Sequence, residues 1–537
     1  MPETVPWRTV PSLLRSQAAR YPGEVAVADG PVRISAGALR EQAQEFARAL
    51  MALGAGAGDR VALWAPNGWQ WVIAACGIWD AGAVVVPLST RYKAIEAGDM
   101  LSRTGASILV ANARFLGSDY LRMLAAEFGG PADGRPVKGL TDLRNILVLD
   151  GPGTPPYVHG YDEIAELAQA VDPDQAEARA CAVRGEDVFS ILATSGTTGE
   201  PKGVMLSSAQ ILRAYWDWSD IVGLRAGDRY PIVSPFAHGF GINAGLLASL
   251  MRLAQMHPIA VFDPDHALEL IESARLSILA GPPALFARLL SRDDLADHDI
   301  SSLRVAVVGA AAVPTQLVRQ MLDVLGFERV VNAYGLMEGS FVTATRTEDP
   351  IEVVAATAGR PAPGMEVLIV DGSGHPLPSG ERGEILVRGY GVMCGYWNAP
   401  GLTREAVDSD GWLHTGDIGV CDERGNLSIV DRKKEMFIVA GFNAYPAEIE
   451  NLLARHPAVA QVGVVGIPDS RSGEVGCAFV VPAPGAELAP ETLIAWARQS
   501  MSNYKVPRRV FVVPELPLTS NGKVDKAALR ARALEGV

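Results

Sequence analysis

The densest group of small hydroxyl, glycine and cationic residues runs from 194 to 203 as Thr-Ser-Gly-Thr-Thr-Gly-Glu-Pro-Lys-Gly. It follows the apolar run VFSILA (188–193), which reads as a buried strand. Thr194, Ser195, Gly196, Thr197, Thr198 and Gly199 let backbone N–H groups converge, and the hydroxyls add further donors. Such a nest suits a polyphosphate, with Lys202 as a mobile positive charge. The spacing G-x-x-x-x-G-K-[ST] cannot be laid on these residues, so they are not a Walker A loop. A polar hairpin or linker is the alternative reading of the same stretch.

A loop of this kind needs rigid elements behind it. RVALWA (60–65), AVVVPL (83–88), SILVA (107–111), NILVLD (145–150), LSILAG (276–281) and RVAVVG (304–309) read as buried strands. Helical spacing between them, as in 36–53 and 69–79, predicts a parallel sheet covered on both faces. Ala-Gly-Asp-Arg occurs at 57–60 and again at 226–229, each time before a strand-like run. Coincidental turn chemistry is slightly favoured over two like subdomains.

From about Gly359 the texture changes. GMEVLIVD, GERGEILVRG and GNLSIVD are strands separated by turns, which predicts an antiparallel, barrel-like region over about 359–430. A smaller α/β unit follows, with a loop at 483–490 and the boundary at Asp431.

The chain has 537 residues, a net charge of −14, and is 48% hydrophobic. That composition excludes wholesale disorder and argues against a general nucleic-acid binder. The five scattered cysteines include no C-x-x-C pair, so neither a disulfide framework nor a zinc knuckle is expected. The first residues lack a basic head followed by an apolar stretch, and 244–262 is too polar to span a bilayer. A soluble, cytoplasmic protein without an integral membrane segment is expected. Oligomeric state is left open, a homo-oligomer included.

TSGTTGEPKG (194–203) resembles the phosphate-loop signature of the adenylate-forming superfamily, which includes acyl-CoA synthetases, peptide-synthetase adenylation domains and luciferases. Five further signatures follow in order: AYGLMEG (333–339), GEILVRG (383–389), HTGD (414–417), DRKKEMFIVAGFNAYPAEIE (431–450) and PLTSNGKVDK (517–526). The chain looks most like the stand-alone acyl-CoA synthetases. VPLSTRY (86–92), FAHGFG (236–241) and SSLRVAVVGAAAVP (301–314) resemble actinobacterial-type ligases, some for fatty acids and others for steroid-derived ring acids. The resemblance implies an α/β fold. A large N-terminal AMP-binding domain (1–430) would hold parallel α/β subdomains plus the β-barrel-like region. A small mobile α+β domain (431–537) would follow.

It also implies ATP, Mg²⁺ and coenzyme A as cofactors or co-substrates, with a carboxylic acid as the small-molecule partner. The loop Thr194–Lys202 would hold the β- and γ-phosphates, and Glu338 would help carry Mg²⁺. Tyr334 and Gly335 would lie near adenine, and Asp417 would hold ribose. Arg432 would touch ribose or phosphate. Lys523 would reach the α-phosphate during adenylation. Asp431 would be the hinge, and Gly441 would line the thiol's approach. His238, Phe240, Gly309, Ala310 and Ala311 would border the acid, the last three by lacking bulk. Structural alternatives stand beside these: a surface carboxylate for Glu338, a turn aspartate for Asp417, a core tyrosine for Tyr334, and an ordinary lysine for Lys523. Core packing is favoured for Trp216 and Trp218.

One departure concerns Met337, where the family usually has threonine in YG-x-T-E. A thioether cannot donate the hydrogen bond that the hydroxyl makes to phosphate or the metal shell. The expected activity is ATP-dependent acid:CoA ligation through an acyl adenylate. The alternatives are an adenylating enzyme that does not use CoA, and an inactive nucleotide-binding homologue.

Overall fold

The computed structural model describes residues 5–535 except 133, 154–155, 196–200, 264–265, 310–312, 433–436, 484 and 518–523. Side chains at 195, 201, 284, 430–432, 447, 451 and 527 are also outside the description.

An eight-stranded sheet forms the centre of the large domain. Its order is Gly395–Tyr396, Pro201–Ser207, Val188–Ser195, Val84–Pro87, Arg60–Trp64, Ile108–Ala111, Asn145–Val148 and Val158–Gly160. The strands from Val84–Pro87 outward are parallel, and Val84–Pro87 and Ile108–Ala111 are wholly apolar and buried, as expected for a sheet covered on both faces. The other edge departs from the predicted parallel sheet. Val188–Ser195 pairs antiparallel with Pro201–Ser207, which pairs antiparallel with Gly395–Tyr396. Five residues join the first two strands, too few for the crossover that a parallel pair requires.

The helix Trp69–Asp80 is buried on nearly every side, so its apolar residues show little periodicity. Trp71 and Trp64 are among the largest fully buried side chains. Each such group contributes roughly 2–3 kcal/mol by leaving water.

The two Ala-Gly-Asp-Arg segments do the same structural job. Asp59 accepts from the Gly56 N–H and Asp228 from the Arg225 N–H, both at 2.8 Å. Each segment starts a strand, Arg60–Trp64 or Arg229–Ile232, whose next parallel neighbour is Val84–Pro87 or Gln255–Pro258. The Asp59 carbonyl accepts from Val84 N–H at 2.7 Å, and the Asp228 carbonyl from Gln255 N–H at 2.8 Å. The repeat therefore supplies the same turn at the start of two strands in different sheets.

A third sheet runs Ile278–Gly281, Val305–Gly309, Arg329–Leu336, Ser340–Ala344 and Arg360–Pro361. The turn-rich region forms an antiparallel sheet of four strands, Met365–Val370, Gly383–Gly389, Leu413–Cys421 and Leu427–Arg432. Its strand order is linear and does not close on itself among the described residues. The next described strand, Phe437–Val439, belongs to a different sheet, with Phe442–Ala444, Gly473–Pro482, Val459–Asp469 and Arg509–Val512. Helices Pro446–Leu453 and Pro490–Ser500 pack on that smaller sheet. No helix among the described residues is long and apolar enough to cross a membrane.

Candidate active site

The hairpin of Val188–Ser195 and Pro201–Ser207 places Thr194 directly opposite Lys202. Gly196, Thr197, Thr198 and Gly199 lie outside the described residues, as does the Ser195 side chain. The Lys202 ammonium lies over the ring of Tyr396, 4.8 Å from its centroid. Tyr396 stands on the next strand, paired in register with Val204. Its hydroxyl donates to Glu338 Oε1 at 3.0 Å. Burial and then the Glu338 charge raise the Tyr396 pKa, so this phenol remains a donor at neutral pH. Tyr396 therefore joins the loop lysine to Glu338. Sequence reading missed it because an aromatic residue beside a tryptophan carries no chemical signature of its own.

Glu338 sits at the tip of the turn between strands Arg329–Leu336 and Ser340–Ala344. Ser340 closes that turn at φ +54°, a left-handed conformation that costs an L-residue about 1–2 kcal/mol. The Glu338 carbonyl accepts from Met393 N–H at 2.8 Å, which fixes the turn from the other side. Its carboxylate is half-buried and already ordered by Tyr396. No cluster of three or more acidic, histidine or cysteine side chains that could hold a metal occurs among the described residues.

Tyr334, on the strand before that turn, is buried and donates its hydroxyl to Asp417 Oδ2 at 2.6 Å. Asp417 belongs to the strand Leu413–Cys421 and is 5% exposed. The short O–H···O⁻ contact is a charge-assisted bond, stronger than a neutral one. Tyr334 thus orients Asp417, a role beyond the stacking or core packing expected of it. Arg432 lies opposite Asp417 in the strand register, and Asp431 opposite Ile418. Gly335 is exposed next to Tyr334.

FAHGFG leads into a π-helix, Phe240–Leu247, a widened turn that often marks functional positions. Sequence periodicity does not distinguish such a turn from an ordinary helix. His238 is solvent-accessible, with protein packed around its ring. Burial lowers its pKa, so the ring is neutral at pH 7. Its Nδ1 accepts from the Phe240 N–H at 3.3 Å. A Cβ placed on Gly239 would lie 2.8 Å from Met337 Sδ, so the thioether packs directly against this glycine. Met337 therefore joins the turn carrying Glu338 to the segment carrying His238.

Trp218 meets the Phe240 ring edge-on at 5.9 Å, while Trp216 packs against Trp7 and under Arg252. Both tryptophans are core residues, 1% and 9% exposed. Gly309 lies at the end of the strand Val305–Gly309. A Cβ there would stand 2.9 Å from the Ala333 carbonyl oxygen on the paired strand. Its missing bulk lets the paired strand approach closely. Ala310, Ala311 and Lys523 lie outside the described residues.

From the smaller sheet, the hairpin of Phe437–Val439 and Phe442–Ala444 turns through Ala440 (φ +49°) and Gly441 (φ +84°). Left-handed geometry at both positions is the type I′ pattern, which fits glycine at the second but strains alanine at the first. A Cβ on Gly441 would lie 3.9 Å from Pro282 of the large domain. Tyr445, just after the hairpin, is the N-cap residue of the helix Pro446–Leu453.

Comparison with known proteins agrees with this arrangement. The family model described as AMP-binding enzyme matches residues 14–397, and that described as AMP-binding enzyme C-terminal domain matches residues 448–523. A Rhodococcus jostii protein named 3-[(3aS,4S,7aS)-7a-methyl-1,5-dioxo-octahydro-1H-inden-4-yl]propanoyl:CoA ligase is 42% identical over 522 residues, covering 97% of this chain and 98% of its own. A Mycobacterium tuberculosis protein of the same name is 44% identical over 525 residues, with the same coverage. Among solved structures, the amide bond synthetase McbA from Marinactinospora thermotolerans is similar with a TM-score of 0.81 at 30% identity, covering 97% of this chain and 99% of that one.

Proposed function

Because the chain belongs to the AMP-binding enzyme family and is an acyl-CoA ligase that uses ATP and CoA, we propose that its acid is a propanoate carried on an oxidised, steroid-derived bicycle. The observation that carries this reading is that two relatives named for that same acyl group align with 97% of the chain.

A carboxylate is a poor electrophile, so it must acquire a better leaving group. In the proposed course it attacks the α-phosphate of ATP, pyrophosphate leaves, and an acyl adenylate forms. CoA thiolate then displaces AMP. Charge builds up on phosphate oxygens in the first step, and positioned cations and donors stabilise it. The loop 194–202 would bind the β- and γ-phosphates, with Lys202 as its cation. Asp417, oriented by Tyr334, would accept from ribose hydroxyls. Arg432, opposite Asp417 in the strand register, would touch ribose or phosphate. Gly335, exposed beside them, would let the backbone approach adenine.

The donor chemistry fits Mg²⁺. Magnesium prefers one or two carboxylates plus substrate phosphates, and Glu338 offers one ordered carboxylate beside the lysine-bearing hairpin. When bound, the ion would neutralise phosphate charge. Neutral His238 would pack beside the acid, which is already ionised and needs no base. Phe240 would form the apolar wall next to it.

The small domain would begin at Asp431. The backbone leaves one sheet at Arg432 and is in another by Phe437, so a rotation at Asp431 would release only the last two pairs of its strand, Asp431 with Ile418 and Arg432 with Asp417. In one orientation Lys523 would serve adenylation. In the other, the Gly441 turn would line the thiol's passage.

Two measurements test this. AMP release should require CoA and be faster with the bicyclic propanoate than with straight-chain acids of equal carbon number. Lys523→Ala should abolish adenylate formation yet spare thioester formation from supplied acyl adenylate. Equal loss of both half-reactions would remove Lys523 from its role. The likeness to an amide bond synthetase motivates a second reading, transfer to an amine. CoA-independent AMP release with an amine acceptor would favour it.

A further inference from the structure

At the contact between the two domains lies a buried ionic cluster. The Lys505 ammonium is 2.6 Å from Glu96 Oε1 and 2.5 Å from Glu448 Oε1. All three side chains are at most 6% exposed. Glu448 and Lys505 belong to the small domain, whereas Glu96 stands in the first turn of the large domain's helix Ala94–Thr104. Ser502 Oγ donates to the Arg91 carbonyl at 2.7 Å and stands 3.1 Å from Glu96 Oε2. The Arg91 guanidinium covers the Phe442 ring at 4.0 Å, and Ile95 packs against the small domain's core. Arg455 pairs with Asp99 at the exposed rim, at 3.3 Å.

Within the small domain alone, Lys505 already has a carboxylate partner in Glu448. Glu96 adds a second carboxylate, 409 residues away in sequence. Burial disfavours charge on Lys505, but Glu448 and Glu96 outweigh it and hold the ammonium protonated. A buried charge that loses a partner is costly unless water replaces it. Separation of the domains would return Glu96 and Lys505 to water, so the full cluster belongs to this orientation. The same orientation brings Gly441 beside Pro282.

We propose that Glu96 is a positioning residue that, through Lys505 and Ser502, holds the small domain in the orientation presenting the Gly441 turn to the large domain, and so favours thioester formation over adenylation. This rests on the reading of Asp431 as hinge and Gly441 as the thiol's passage. Glu96 touches no reacting atom. It also accepts the Lys93 N–H at 2.9 Å, which caps its own helix. Glu96→Gln keeps that acceptor and the side-chain shape while removing the charge.

The test measures both half-reactions on full-length native protein and E96Q, with the bicyclic propanoate. Pyrophosphate exchange into ATP reports adenylation, and supplied acyl adenylate plus CoA reports thioester formation. E96Q should slow thioester formation about tenfold and leave exchange within about twofold. Ser502→Ala should shift the ratio the same way by a smaller factor, with less risk to folding. Parallel loss of both rates would make Glu96 merely a helix cap and overturn the proposal, as would an unchanged ratio in both variants. If native protein makes no thioester from supplied adenylate, the CoA-ligase reading itself falls, and the clasp with it.

Discussion

The Tyr334 hydroxyl donates to Asp417 Oδ2 at 2.6 Å, joining a strand of one sheet to a strand of another, 83 residues further along the chain. Both groups are buried, so the bond forms where the dielectric is low and competing water is scarce. Tyr334→Phe keeps the ring and deletes the donor. Losing a hydrogen bond to a charged group costs about 1.5–3 kcal/mol, or roughly 10- to 100-fold. The expected outcome is a rise of that order in KM for ATP, with a smaller change in kcat. Steady-state kinetics with ATP varied decide it, and an unchanged KM would show that Asp417 needs no orientation by the phenol.

Met337 occupies the turn beside Glu338, but its sulfur rests on Gly239, in the segment proposed to border the acid. Met337→Thr restores a hydroxyl near the phosphates and removes apolar contact with that glycine. At about 0.8 kcal/mol per buried methylene, the lost packing corresponds to a 5- to 10-fold rise in KM for the acid. ATP affinity should hold or improve. If the acid's KM stays constant while ATP parameters change, Met337 acts on phosphate alone.

His257 gives the protein an acid-sensitive term. It is buried in the strand Gln255–Pro258, where desolvation, then the charges of Arg33 and Arg229, lower its pKa to about 4. In the unfolded chain the value is near 6.5, so between these limits the unfolded state binds more protons. Its contribution is therefore complete above pH 6.5 and lost as pH falls toward 4, amounting to about 3 kcal/mol at most. His257→Gln should lose less stability than native protein between pH 7 and pH 5. Urea denaturation at the two values provides the comparison, and equal losses would contradict it.

Much of the fold and the site's membership is local information and was legible. Apolar runs such as 60–65 and 108–111 form strands because period and composition already match a sheet buried on both faces. Phosphate-loop chemistry at 194–202 and the motif residues Glu338 and Asp417 declare themselves by type and order. Other features were not legible. The antiparallel edge and the close approach at Gly309 depend on which strand lies alongside. Tyr396 acquires meaning only between Lys202 and Glu338.

By itself, then, the sequence determined the family, the two-part organisation of strands and helices, and the candidate chemistry of the loop. These rest on neighbours within a few residues, where periodicity and spacing carry the information. Tertiary structure alone decided the partnerships: Tyr334 with Asp417, Met337 with Gly239, and Lys505 with Glu96. Each joins residues from separate elements, and its strength comes from desolvation and close packing that exist only once the chain has folded.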